Sequence, residues 1–261
     1  TTGVGVKRVS IKIRWFTSLL LMAFIVSTVL AVPPPAQASS KDKVVLAKGT
    51  VYATNMYIIR SGKPGPVVMI VGGVHGNEPA GYIAAGRMIN TEIKKGTLIV
   101  LPRANNRAVE HKVRYYKGHG DLNRDFPTSK YGSADGTLAK AIWSMVKKYD
   151  VDYLMDMHEG YNYAKLQSSS SVGQSLIYYP TGYFRSTVSS IVYKLNSNIS
   201  TNYREFSLLR YPARGSLSRA AGQYLGCKSF IFETCTKQTL STRLYYQQKA
   251  AKTLLSKLNM L

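Results

Sequence analysis

Two cysteines in 261 residues, Cys227 and Cys235, are too few to staple a fold. The segment between them reads as a strand, which would hold them beyond disulfide reach, so two free thiols are expected. Histidine is scarce as well, with four in the chain, so the setting of each one carries weight. Acidic residues number 13 against 35 Lys and Arg, a formal net charge of +22. Such a charge draws a protein to anionic surfaces. No basic helix or zinc-finger pattern accompanies it, so no nucleic-acid partner is expected. An anionic cell-wall polymer or lipid surface suits it better, unless the lysines are simply a solvated face. Beyond the first forty residues no apolar run is long enough to cross a membrane, and no internal repeat is found.

The first forty residues differ from the rest. Lys7, Arg8, Lys12 and Arg14 precede an apolar run from Trp15 to Val32, followed by Pro33-Pro34-Pro35 and Ala36-Gln37-Ala38. A basic segment, an apolar segment and a small-x-small site describe a secretory signal peptide, with cleavage expected after Ala38. The alternative is an uncleaved membrane anchor, for which the run is near the lower length limit. The expected organisation is a signal peptide over 1–38 and one catalytic domain over 39–261. The expected location is secreted or attached to the cell envelope.

The mature part alternates strand and helix. Residues 44–60 suggest an edge hairpin, and 61–66 a turn. Val67-Val68-Met69-Ile70-Val71, Thr97 to Leu101, Val151 to Met157 and Lys228 to Phe232 are short apolar runs of the kind that form buried parallel strands. Gln174 to Tyr179 is a further candidate strand. Helical spacing covers 80–90, 137–148, 186–198 and 240 to the C-terminus, and Ser216 is placed to cap a helix ending near Leu225. This alternation points to an α/β domain with a largely parallel sheet. Residues 103–132 show little periodicity. A long stretch of that kind inside a compact domain is usually functional or disordered.

The first central strand runs into Gly72-Gly73-Val74-His75-Gly76-Asn77-Glu78-Pro79. His75 and Glu78 therefore sit where a strand ends and a helix begins, the edge at which open α/β sheets bind ligands. The third strand ends in Asp156-Met157-His158-Glu159, and the fourth in Glu233. Two histidines and a carboxylate form a three-ligand catalytic zinc set that leaves a fourth position for water. Zinc would ionise that water near neutral pH. Glu233 is the candidate general base and later acid. In Asp121-Leu122-Asn123-Arg124, Arg124 is a candidate for holding an acidic substrate end, because guanidinium binds carboxylate through two prongs. Arg114 is a candidate for polarising the attacked carbonyl. His111 and His119 read as surface or loop residues. Asp156 is either a partner orienting a ligand histidine or a strand-end polar residue. Glu159, whose side chain points away from that of His158 in an extended strand, is left outside the site.

The set His75-Gly-Asn-Glu78, Asp121-Leu-Asn-Arg124, Asp156-Met-His158 and Phe232-Glu233 resembles the zinc carboxypeptidase superfamily, including its succinylglutamate desuccinylase and aspartoacylase branch. The resemblance spans residues 67–234. It implies a mixed, mostly parallel eight-stranded sheet flanked by helices. It also implies one zinc ion on His75, Glu78 and His158, and an acid/base at Glu233. Asn123 and Arg124 would grip the substrate carboxylate. The carbonyl-polarising arginine fits Arg114 best, with Arg107 and Arg103 as alternatives. The same comparison nominates Tyr211 as a mobile substrate-binding tyrosine and puts the side-chain pocket near Ser218, with Arg214 close by. The chain departs from the family's large secreted members in being shorter and in lacking their disulfides, and no separate C-terminal β-domain is found.

The expected activity is hydrolysis of an amide next to a free carboxylate, in a peptide or an N-acyl amino acid. A carboxypeptidase-like reading comes first and a desuccinylase- or aspartoacylase-like deacylase second. The rival from another class is a non-catalytic, basic envelope-binding protein.

Overall fold

The computed structural model describes residues 1–3, 38–118, 120–166, 168 and 170–261. The expected signal peptide and His119 lie outside the described residues. Among the described residues eight strands form one sheet: β1 (Ser40–Leu46), β2 (Thr54–Arg60), β3 (Val67–Gly72), β4 (Thr97–Leu101), β5 (Tyr153–Gly160), β6 (Ser175–Tyr178), β7 (Ser207–Arg210) and β8 (Lys228–Cys235). Their spatial order is β1-β2-β4-β3-β5-β8-β6-β7. The central pairs β4/β3, β3/β5 and β5/β8 are parallel, whereas β1/β2, β2/β4 and β6/β8 are antiparallel. This is the mixed, eight-stranded sheet that the resemblance implied, and the edge hairpin is present as β1 and β2.

Among the described residues six α-helices flank the sheet: α1 (Pro79–Met88), α2 (Asn106–His111), α3 (Gly136–Lys148), α4 (Phe184–Asn196), α5 (Leu217–Leu225) and α6 (Leu240–Lys257). Side chains alternate across a strand, so β3 feeds two cores. Val68 and Ile70 pack with Ala84 of α1, Ile191 of α4 and Leu254 of α6. Met69 and Val71 pack with Ile142 of α3 and Leu217 of α5. Burial on both faces explains why the central strands are unbroken apolar runs. The hydroxyl of Ser216 accepts the Arg219 N–H at 3.1 Å and starts α5, as the sequence suggested. Cys227 and Cys235 are both free and buried.

Four elements differ from the sequence expectation. The non-periodic stretch 103–132 contains α2, started by Asn105, whose side chain accepts the Ala108 N–H, and a 3-10 turn at Leu122–Arg124. Both are too short for a helical period to show. The four-residue edge strand β7 was not anticipated, because its only lateral partner is β6 and none of its residues is fully buried. Strand β5 runs on to Gly160, so His158 lies within the sheet and not past its end.

Candidate metal centre and active site

The carboxyl ends of β3, β5 and β8 lie side by side, with Gly72 opposite Met157 and His158 opposite Glu233 in the ladder. The chain leaves β3 through Gly73 at φ +69, a conformation that suits glycine. It then passes so close to α2 that a Cβ on Gly76 would sit 2.0 Å from the Ala108 carbonyl. This tight turn delivers His75 and Glu78 to the sheet edge.

His75, Glu78 and His158 are buried and converge. His75 Nδ1 is 2.7 Å from Glu78 Oε1, His158 Nδ1 is 2.9 Å from Glu78 Oε2, and the two Nδ1 atoms are 3.1 Å apart. Each outer nitrogen faces a carboxylate. His75 Nε2 lies 2.8 Å from Asp121 Oδ1. His158 Nε2 lies 3.1 Å from Asp156 Oδ2, near enough for ion pairing although not aligned as a hydrogen bond. Both imidazoles thereby turn Nδ1 inward while a carboxylate faces the other nitrogen, the kind of outer partner that metal-bound histidines have. Two ring nitrogens turned on one carboxylate fit a shared cation, and a His/Glu/His donor set is one that catalytic zinc uses.

The electrostatics agree. Burial alone would raise the Glu78 carboxyl, but His158 and His75 outweigh it and lower its pKa to about 2. Burial would lower His158, yet Asp156 and Glu78 hold it well above the usual imidazole value. Asp121, which the sequence motif contained without a role of its own, is held down in the same way. Desolvation is overcome by His75 and Arg114, and the group stays well below the carboxylate range.

Glu233 is also buried, and desolvation, reinforced by Glu78 and Asp156 against the opposing pull of His158, raises its pKa to about 8. Arg114 reaches into the same place: Nη2 lies 3.1 Å from Asp121 Oδ2 and Nη1 3.4 Å from Glu78 Oε1. Arg114, Asn123, Arg124, Tyr211 and Glu233 all line one cleft of about 490 Å³ with the three metal-ligand candidates. Asn123 Oδ1 is buried without a hydrogen-bond partner, and Arg124 Nη1 donates to the Asn123 carbonyl at 2.7 Å. Tyr211 is half-exposed on the rim, with φ +63.

Other nominated residues fall elsewhere. Arg107 stacks on Tyr116 and Arg103 lies over Tyr82, so neither competes with Arg114 for the cleft. Ser218 is fully buried in α5, and Arg214 donates to the Thr128 carbonyl; neither lines the cleft. Its apolar wall is made instead by Ile177, Leu209 and Ile231. The alternating pattern of β6 to β8 could have suggested that wall; the loop comparison pointed past it. Among the described residues His111 is exposed and its Nδ1 contacts the Arg107 carbonyl, in keeping with a surface role.

Residues 64–171 match the family described as the succinylglutamate desuccinylase/aspartoacylase catalytic domain. No curated protein matches the sequence. Among solved structures, Csd4 of Helicobacter pylori, described as a D,L-carboxypeptidase and seen with mDAP bound, is similar at 19% identity and a TM-score of 0.65. The match covers 76% of this chain and 52% of that one. A succinylglutamate desuccinylase/aspartoacylase from Rhodobacter sphaeroides is similar at 17% identity and a TM-score of 0.62, over 86% of this chain and 66% of that one. The product-bound ectoine utilization protein EutE from Ruegeria pomeroyi is similar at 16% identity and a TM-score of 0.63, over 87% and 70%. The chain thus spans about half the length of the Csd4 structures it matches. The resemblance read from the four motifs is met both ways: residues 64–171 carry the succinylglutamate desuccinylase/aspartoacylase catalytic-domain match, and the fold is zinc carboxypeptidase-like.

Proposed function

We propose that this chain is a zinc-dependent hydrolase that cuts an amide bond beside a free carboxylate, and that it works outside the cytoplasm on peptides. One observation carries the reading. The buried triad His75, Glu78 and His158, the raised Glu233 and the carboxylate-binding candidates Asn123 and Arg124 share one cleft. A bound zinc supplies Lewis acidity and brings the pKa of its water to near neutral. Glu233 takes a proton from the attacking water and passes it to the leaving amine. The burial that raises Glu233 makes it the stronger base once ionised. Arg124 pairs with the substrate carboxylate and so fixes which bond is attacked. Arg114 stabilises the negative charge that grows on the carbonyl oxygen. Tyr211 on the rim closes over the bound substrate.

The description of Csd4 as a D,L-carboxypeptidase, and its structures with tripeptide and mDAP, support the peptide reading. The family match supports an N-acyl amino acid deacylase as the second reading. A screen of zinc-loaded protein against peptides with basic, acidic or apolar C-termini and against N-acyl amino acids separates them. Release of single C-terminal residues supports the first reading, and cleavage confined to small N-acyl groups supports the second. The basic charge supports export to an anionic envelope. Cell fractionation that finds the protein only in the cytoplasm would remove that part. Sedimentation with cell walls, unchanged in Glu233→Gln and paired with no turnover of any substrate, would favour the non-catalytic reading.

A further inference from the structure

Glu78 occupies the N-cap of α1, but its side chain makes no capping bond, because both carboxylate oxygens face the histidines. The place is filled from another strand. Glu159 Oε2 accepts the Ala80 N–H at 2.8 Å, and the Glu159 N–H donates to Glu78 Oε2 at 3.0 Å. The Glu159 carboxylate is fully buried, and it is paired with the Arg243 guanidinium of α6. One turn further along α6, Gln247 Nε2 donates to the carbonyl of His158 at 2.8 Å and reaches Thr234 Oγ1, beside Glu233, at 3.3 Å.

From this arrangement we infer that Arg243, Glu159 and Gln247 are positioning residues for the metal centre. Through them α6 sets the rotamer of Glu78 and the backbone of His158. Without Glu159, the α1 amide at Ala80 loses its acceptor, and Glu78 becomes the nearest carboxylate able to turn back and cap its own helix. That turn would withdraw a ligand from the metal. Arg243 pairs with the buried Glu159 carboxylate and fixes it in place. Gln247 holds β5 at the residue that supplies His158, next to the residue before which Glu233 stands. The inference rests on the reading of His75, Glu78 and His158 as metal ligands.

The test is zinc affinity of the full chain, measured by competition with a chromophoric chelator, alongside thermal unfolding of the metal-free protein. Arg243→Gln and Glu159→Gln are each expected to weaken zinc binding by roughly 10- to 100-fold, the range found when partners of metal ligands are lost. The double variant is expected to lose no more than the worse single one, because both act through Glu159. Arg243→Lys, which keeps the cation, is expected to recover much of the affinity. Arg87→Gln is the control, because Arg87 joins α1 to Gln248 of α6 at an exposed contact far from the ligands. Its zinc affinity is expected to match wild type. Unchanged affinity in Arg243→Gln, or an equal loss in Arg87→Gln, overturns the inference. If Arg243→Gln does not fold, Gln247→Met removes the donor to His158 without stranding a charge and is read by the same two outcomes. A wild-type chain that binds no zinc would instead remove the metal-site reading, and this inference with it.

Discussion

His75 Nδ1 and His158 Nδ1 stand 3.1 Å apart although 83 residues separate them in the chain. They meet because β3 and β5 are parallel neighbours, so the turn that follows β3 and the C-terminal part of β5 reach the same sheet edge. Glu78 bridges the pair with its two oxygens. One zinc per chain is therefore expected by metal analysis, and His158→Ala or Glu78→Gln is expected to lose it. At free zinc roughly a thousandfold above its dissociation constant, binding would stabilise the fold by about 4 kcal/mol. Calorimetry with and without a chelator checks this. An unfolding temperature indifferent to zinc would contradict it.

Glu233 faces His158 across the β5/β8 ladder but forms no part of the three-ligand cluster. Its replacement is accordingly expected to separate chemistry from metal binding. Glu233→Gln should retain zinc while kcat falls by roughly 10²- to 10⁴-fold, the contribution typical of a positioned acid/base. Steady-state kinetics on the zinc-loaded variant reads it. Near-wild-type turnover would remove Glu233 from the reaction.

Much of this arrangement is written locally. The four central strands are apolar runs because both faces are buried, and a signal of that kind survives in a single sequence. The ligand residues are legible because they follow closely on apolar runs of the sequence, which give way to His and Glu. What was not legible depends on contacts between distant segments. Asp121 gains its role only when the turn at Leu122–Arg124 brings its Oδ1 to His75. Glu159 was set aside because it points to the other face from His158. That is true, and the other face is where it meets Ala80 and Arg243. Arg243 and Gln247 sit in a helix whose sequence reads as an ordinary basic, amphipathic segment.

The two cleft arginines are held differently, and their loss should show differently. Arg114 contacts Asp121 and Glu78 at the metal centre. The Arg124 guanidinium donates through Nη1 to the Asn123 carbonyl and, among the described residues, leaves the rest of its fork for a substrate carboxylate. Arg114→Ala is expected to lower kcat by roughly 10²- to 10³-fold, as when an oxyanion donor is removed. Arg124→Ala is expected to act mainly through KM, and to erase the preference for a free carboxylate over its amide. Initial rates on the paired acid and amide substrates measure both. Equal responses in the two variants would mean that the assigned division of labour is wrong.

The metal-free site also sets a pH dependence of folding. Burial lifts Glu233 from 4.5 to about 8, so between those values the folded protein keeps a proton that the unfolded chain has released. Stability therefore falls as pH rises through that window. His158, raised above 6.5 by Asp156 and Glu78, contributes fully below 6.5 and loses its contribution as pH passes its folded value. Both groups work against the fold on the alkaline side. Glu78 acts on the other side: lowered to about 2, it stabilises above 4.5, and that stability is lost as pH falls toward 2. The chelated protein is thus expected to be most stable on the acid side of neutrality, with a midpoint that declines from pH 6 to pH 9. In Glu233→Gln one of the two alkaline losses is gone, so the decline should be shallower. Thermal unfolding in chelator at stepped pH measures the slope, and identical slopes in wild type and variant would show that Glu233 is not held protonated by the fold.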